Sequence, residues 1–133
     1  MIVSTKGRYA LRVMIDLAEN SKQERIPLME IAERQGISQK YIEAIMTILS
    51  KHGFVDAVHG KGGGYRLNKK PEEYRVGDIL RLTEGSLSPV ACLEAGAEEC
   101  PRKAVCRTLP MWTKLDELVE GYLDSVRLSD LMR

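Results

Sequence analysis

The chain has 133 residues, 44% hydrophobic but only 5% aromatic, and its 20 Lys/Arg nearly balance 19 Asp/Glu to leave a net charge of +1. That allows one domain, or a small domain with an appendage, around an aliphatic core. No run of about 18 apolar residues exists, which excludes a helical membrane span, and Met1-Ile2-Val3-Ser4-Thr5-Lys6 lacks the apolar stretch of a signal peptide, so a cytoplasmic protein with reduced thiols is expected.

Charge is divided unevenly. Residues 1–70 carry 12 Lys/Arg against 7 Asp/Glu, and residues 71–133 carry 8 against 12. A basic first half suits a phosphate-binding surface and an acidic second half would face away from it, although two ordinary solvated surfaces would give the same totals.

Ser4 or Thr5 can cap a first helix whose Ala10, Val13, Met14, Leu17 and Ala18 follow i, i+3, i+4 spacing, ended by Asn20-Ser21. Ile26-Pro27-Leu28 is long enough only for one extended turn. The spacing of Leu28, Ile31 and Ala32 predicts a two-turn helix over Leu28 to Gln35, stopped by Gly36. Ser38 caps the next helix, running to about His52 with Ile42, Ile45, Met46 and Leu49 buried and Gln39, Lys40, Glu43 and Thr47 on other faces. Short helix, Gly-containing turn, capped second helix is the helix-turn-helix pattern.

Phe54 to Val58 alternates like a strand, His59 to Gly64 is a turn with four glycines, and Tyr65-Arg66-Leu67 resumes the strand. A hairpin directly after the second helix is the layout of a winged helix, whose side-chain-poor tip can approach a narrow groove. A nucleotide-phosphate loop is rejected, because Lys61 lies inside the glycines and no Ser/Thr follows in register. Pro71 to Tyr74 breaks the strand, and Val76 to Glu84 forms a short helix with Ile79, Leu80 and Leu82 apolar.

From Gly85 to Thr108 no periodicity survives, and this stretch holds every cysteine: Cys92, Cys100 and Cys106. A loop of about two dozen residues in a small domain is usually functional. Three clustered thiols suit an iron–sulfur cluster or zinc with one extra donor; thiol redox chemistry and unliganded cysteines are the other options. Pro110 or Met111 opens a long helix to about Val126, with Trp112, Leu115, Leu118, Val119, Tyr122, Leu123 and Val126 as its stripe. The stripe is either a core face of this chain or, better suited to its width, a face paired with a second copy. Leu128 to Leu131 adds a last turn. No nucleophile–base–acid arrangement is present, so an enzyme is not expected.

Specific strings now carry more. Ser4-Thr5-Lys6-Gly7-Arg8-Tyr9-Ala10, Ile31 to Ser38 with Tyr41 and Glu43, Gly62-Gly63-Gly64-Tyr65, Val76-Gly77-Asp78-Ile79 and Leu128-Ser129-Asp130-Leu131 closely resemble the bacterial IscR-like regulators of the Rrf superfamily. The resemblance spans nearly the whole chain. It implies a mostly α-helical fold with a small β-hairpin wing, in which residues 1–84 are a winged helix-turn-helix DNA-binding domain, 85–108 a cysteine-bearing sensor loop and 109–133 a dimerisation helix with a C-terminal turn. It further implies a homodimer on a double-stranded operator, with repression the expected mode, and an iron–sulfur cluster on Cys92, Cys100 and Cys106.

Three departures stand out, one of them a first cysteine spacing longer than the family's, with seven residues between Cys92 and Cys100. The family's fourth ligand, a histidine three residues after the last cysteine, is replaced here by Leu109, so Glu94, Glu98 or Glu99, a partner residue or an exogenous thiol must complete any site. The wing position often held by arginine is His59. Spacing does not separate 2Fe-2S from 4Fe-4S clusters, and members without the cysteines respond instead to metabolites or partner enzymes.

The residues expected to meet DNA fall into three groups. Ser4, Thr5, Lys6, Arg8 and Tyr9 at the first helix would position phosphates. Ser38, Gln39, Lys40, Tyr41 and Glu43 begin the recognition helix: Gln39 could read adenine, Lys40 guanine or a phosphate, and Glu43 cytosine N4, while Tyr41 is as well suited to the core. His59 and Lys61 lie on the wing. A protein-interaction module with DNA binding secondary is the competing class.

Overall fold

The computed structural model describes residues 3–133. Its helices start where the sequence supplies caps. The Ser4 hydroxyl accepts the Gly7 N–H at 3.1 Å and opens α1 (Thr5–Glu19), while Asn20 closes it by donating from both its backbone and its side-chain nitrogen to the Asp16 carbonyl. Helix α2 (Leu28–Gln35) stops at Gly36 in the left-handed conformation, φ 65°, and the Ser38 hydroxyl caps α3 (Gln39–Lys51) through the Tyr41 N–H at 3.2 Å.

The hairpin is β1 (Val55–Val58) antiparallel to β2 (Gly64–Leu67), with Val55 opposite Leu67 and Val58 opposite Gly64. Phe54 was expected in the strand, but its N–H donates to the Leu49 carbonyl and finishes the turn after α3, so pairing begins one residue later. Ile26 does more than the expected turn. It exchanges both backbone hydrogen bonds with Tyr65, at 2.8 and 2.9 Å, adding one rung to the outside of β2. The buried Tyr74 hydroxyl pins the hairpin base by donating to the Phe54 carbonyl at 2.8 Å and accepting the Asn68 N–H at 3.1 Å. Its burial raises the Tyr74 pKa.

Helices α1, α2 and α3 enclose the main core. Ala10, Val13, Met14, Leu17 and Ala18 of α1 meet Ile31 and Ala32 of α2 and Ile42, Ile45, Met46 and Leu49 of α3, all buried as their spacing implied. Leu28 is only half-buried. One core group is charged among the described residues: Asp16 is 3% exposed and accepts from Arg34 Nη2 and Nε at 2.8 and 3.0 Å and from Gln35 Nε2 at 2.9 Å. That bidentate pair raises the Arg34 pKa and locks α2 against α1.

Helix α4 (Val76–Glu84) lies between α1 and α5 (Leu109–Ser125), with Val76, Leu80 and Leu87 packed against Leu11, Leu123 and Val126. Arg81 clamps α4 to α5: it donates to Glu120 and, at 2.8 Å, to Asp124. Burial works against its charge, yet the hydrogen bonds to Glu120 and Asp124 prevail and its pKa is raised. Beyond α5 the chain returns to the body. The Val126 carbonyl accepts the Val76 N–H and the Tyr74 carbonyl accepts the Leu128 N–H, each at 2.9 Å. Leu128, 0% exposed, enters the main core, and the Arg133 N–H reaches Glu19. The last turn, expected with the dimerisation helix, is thus packed into the winged-helix body.

Residues 85–108 remain irregular apart from single 3₁₀ turns at Ala91–Leu93 and Lys103–Val105, and Leu87 is the only buried residue in the stretch.

Candidate nucleic-acid interface and cysteine pocket

Ser38, Gln39, Lys40, Tyr41 and Glu43 are all exposed at the start of α3, the end of a recognition helix that meets base edges. Tyr41 serves two purposes. Its ring meets Tyr9 edge to face at 5.4 Å, and Arg12 stacks over Tyr9 at 5.1 Å while donating to Gln35. One side of Tyr41 therefore joins α3 to α1, and the other faces solvent.

The first helix differs from expectation at Ser4. Its hydroxyl donates to Glu84 at 2.6 Å and accepts from Gly7, and its N–H donates to the same carboxylate at 3.0 Å. Ser4 is committed to joining α1 with α4, and the positive end of α1 already faces a carboxylate. Thr5 and Arg8 are exposed and hydrogen-bonded to each other at 3.1 Å; Lys6 and Tyr9 are half-buried. Of these five residues, Arg8 and Lys6 are the cations.

His59 and Lys61 are exposed at the wing tip. A groove of about 200 Å³ runs between α3 and the wing, and its walls include Glu43 and His59. Two residues assigned to separate elements thus face one space. His52, by contrast, is spent on the α3 terminus, where its Nδ1 lies 3.0 Å from the Ile48 carbonyl.

Cys92, Cys100 and Cys106 line one pocket of about 230 Å³, together with Glu98, Glu99, Lys103 and Leu109. Cys92 and Cys100 are exposed and Cys106 half-buried, and all three are free thiols. The Cys106 sulfur lies 3.6 Å from the Thr108 hydroxyl, and hydrogen bonding from that hydroxyl, aided by nearby backbone amides and Arg102, lowers its pKa. Among the described residues, no three His, Cys, Asp or Glu side chains already sit close enough together to hold a metal ion. The donors still suit a cluster by chemistry. Three soft sulfur donors share one cavity, two glutamates stand beside them, and the loop has almost no buried residue to resist their being drawn together. Glu94 is elsewhere, in a second cavity against α4 with Arg81 and Asp116.

The long stripe of α5 divides. Leu123 and Val126 pack on α4 within the chain, and Trp112 and Val119 are half-buried. The outer side is apolar and uncovered: Met111, Leu115, Leu118 (58% exposed) and Tyr122 (68%). Leu109, the first residue of α5, is also a wall of the cysteine pocket, so the loop and the start of this helix meet there.

Helix-turn-helix, wing and exposed recognition residues define the class, a winged-helix DNA-binding transcriptional regulator. Residues 3–133 match the family model "Rrf2: Iron-dependent Transcriptional regulator". The HTH-type transcriptional regulator IscR of Aliivibrio salmonicida (strain LFI1238) is 39% identical over 132 residues, which cover 99% of this chain and 77% of that protein. Among solved structures, CymR (YrzC), the global cysteine regulator of B. subtilis, superposes with TM-score 0.79 at 34% identity, covering 98% of this chain and 95% of that one. T. potens IscR gives TM-score 0.76 at 36% identity, over 98% and 85% of the two chains. The chain belongs to the Rrf2 family of transcriptional regulators. These relatives are regulators, not enzymes, and no helix among the described residues is long and apolar enough to cross a membrane.

Proposed function

We propose that this regulator works as a homodimer whose affinity for a double-stranded operator is set by an iron–sulfur cluster on Cys92, Cys100 and Cys106, with Glu98 or Glu99 as the oxygen donor in place of the missing histidine. The observation that carries the reading is the shared pocket of the three thiols at the start of α5. Such a cluster would supply a redox- and iron-sensitive centre; the chain's own residues hold it and transmit its presence. Ligation would order a loop that has no core of its own. That loop joins α4, which packs on the winged helix, to α5, whose open face would meet a second copy, so ordering it can shift the spacing of two recognition helices.

The test is anaerobic purification and reconstitution, followed by visible absorption and iron and sulfide analysis of the wild-type chain and of Cys92→Ser, Cys100→Ser and Cys106→Ser. Each replacement should abolish the absorption. A variant that keeps the wild-type spectrum and iron content removes its cysteine from the site.

One observation favours a second reading, a thiol switch on the same fold. The Cys106 sulfur lies beside the Thr108 hydroxyl, which acidifies the thiol as a reactive cysteine requires. In that case the spectrum stays featureless, and oxidant changes DNA affinity in the wild-type chain but not in Cys106→Ser.

A further inference from the structure

The wing turn has one lysine of its own, yet the fold brings it a second cation from elsewhere in the sequence. Arg25 lies in the linker between α1 and α2, outside every regular element. Its neighbour Ile26 is held by the two hydrogen bonds to Tyr65, which fix the course of the linker along the hairpin. From that anchor the Arg25 side chain reaches the wing tip, where Nε donates to the Gly62 carbonyl. A Cβ at Gly62 would sit 3.0 Å from Arg25 Nη2, and Gly62 has φ 74°, so this residue both makes the turn and leaves space for the guanidinium.

The bond to Gly62 is exposed and uses only Nε, leaving the Nη edge. Arg34, Arg66, Arg75 and Arg81 all lie in ion pairs, whereas no carboxylate pairs with Arg25 among the described residues. A planar fork, held by one bond and not neutralised, is well prepared for a phosphate. Exposed Lys61 stands in the same turn, and a basic surface is what a duplex backbone selects.

We propose that Arg25 is a DNA-contacting residue of this protein: it braces the wing through Nε and presents its Nη edge to the sugar–phosphate backbone beside Lys61. This rests on the winged-helix surface being the one that binds DNA.

The test uses the full chain and duplexes enriched from a random-sequence pool by the wild-type protein, with affinity measured by fluorescence anisotropy over a salt series. Arg25→Gln keeps a donor for the Gly62 carbonyl but removes the charge. It should bind about tenfold more weakly on every duplex, with the slope of log affinity against log salt lowered by about one unit. Arg25→Lys keeps the charge and should retain the wild-type slope with only a few-fold loss. Thermal melts check that both variants are folded. Arg25→Gln with the wild-type slope, whatever its affinity, overturns the contact and leaves Arg25 a brace. Wild-type protein that binds duplexes without salt dependence defeats the DNA-binding surface itself, a result separable from any failure at Arg25 alone.

Discussion

The winged-helix body and the cysteine loop are built on opposite terms. In the body every long helix has a cap or a glycine stop, a buried stripe and links to its neighbours, among them the Asp16–Arg34 pair and the Arg81 clamp. In the loop one residue is buried, the thiols are exposed or half-exposed, and the single ion pair, Lys103 to Glu99, spans 3.8 Å at the surface, where such pairs add about 0–1 kcal/mol. A signal can therefore act on the loop more readily than on the body. Each chain's reading surface is held by the body's own packing, and the loop has little conformational stability of its own to oppose a ligand.

The largest change should come from the edge of the body that is unfinished. Leu118→Glu with Tyr122→Glu places two carboxylates on the open face of α5 and should convert dimers to monomers or aggregates by light scattering, with helical content preserved; an unchanged dimer removes this face as the interface.

Next in size is a direct contrast of stability. Leu128→Ala empties a site in the main core and should destabilise the chain by about 2–5 kcal/mol in chemical denaturation. Val105→Ala, on the exposed loop, should change stability by no more than about 0.5 kcal/mol. Equal effects would mean that the loop belongs to the folded core.

Smaller effects should appear in DNA binding. Lys61→Ala should weaken every duplex alike and lower the salt slope by about one unit. Glu43→Ala should instead change which bases are tolerated, because a carboxylate in a groove rejects as well as accepts. Uniform effects of Glu43→Ala in a binding-selection experiment would contradict its role.

The smallest concerns the loop alone. A lowered Cys106 pKa means more thiolate at neutral pH, so alkylation of this thiol should begin at lower pH than for an ordinary cysteine. Thr108→Val removes the hydroxyl donor, moves the pKa up and should slow alkylation a few-fold at pH 7. An unchanged rate would show that Thr108 does not tune the thiol.

Much of the body was legible because its signals are local. Ser4, Ser38 and Gly36 mark helix ends through bonds to residues within five positions, and the i, i+3, i+4 stripes of α1 and α3 name their buried residues correctly. What periodicity lacks is direction. It showed that α5 is apolar around much of its circumference, but not that Leu123 and Val126 turn to α4 while Leu118 and Tyr122 turn away. Pairings distant in sequence were equally hidden: Ser4 with Glu84, Asp16 with Arg34, Ile26 with Tyr65, Arg25 with Gly62, and Leu128 inside a core formed mostly by residues 10–55. Each needs the fold before the partner can be known. For the site, the cysteines declared themselves by clustering, whereas the choice of Glu98 and Glu99 over Glu94 as neighbours required the pocket.

Ligation in the loop is proposed to alter how the body binds DNA. The most direct test is the affinity of one chain for one duplex, measured anaerobically in the cluster-loaded and cluster-free states at a single salt concentration. The duplex would again be enriched by the wild-type protein, and Cys92→Ser would serve as the cluster-free reference. Loading should change the wild-type affinity by about tenfold or more, a coupling of about 1.4 kcal/mol, while Cys92→Ser treated identically should not respond. Equal affinities for loaded and unloaded protein would contradict it.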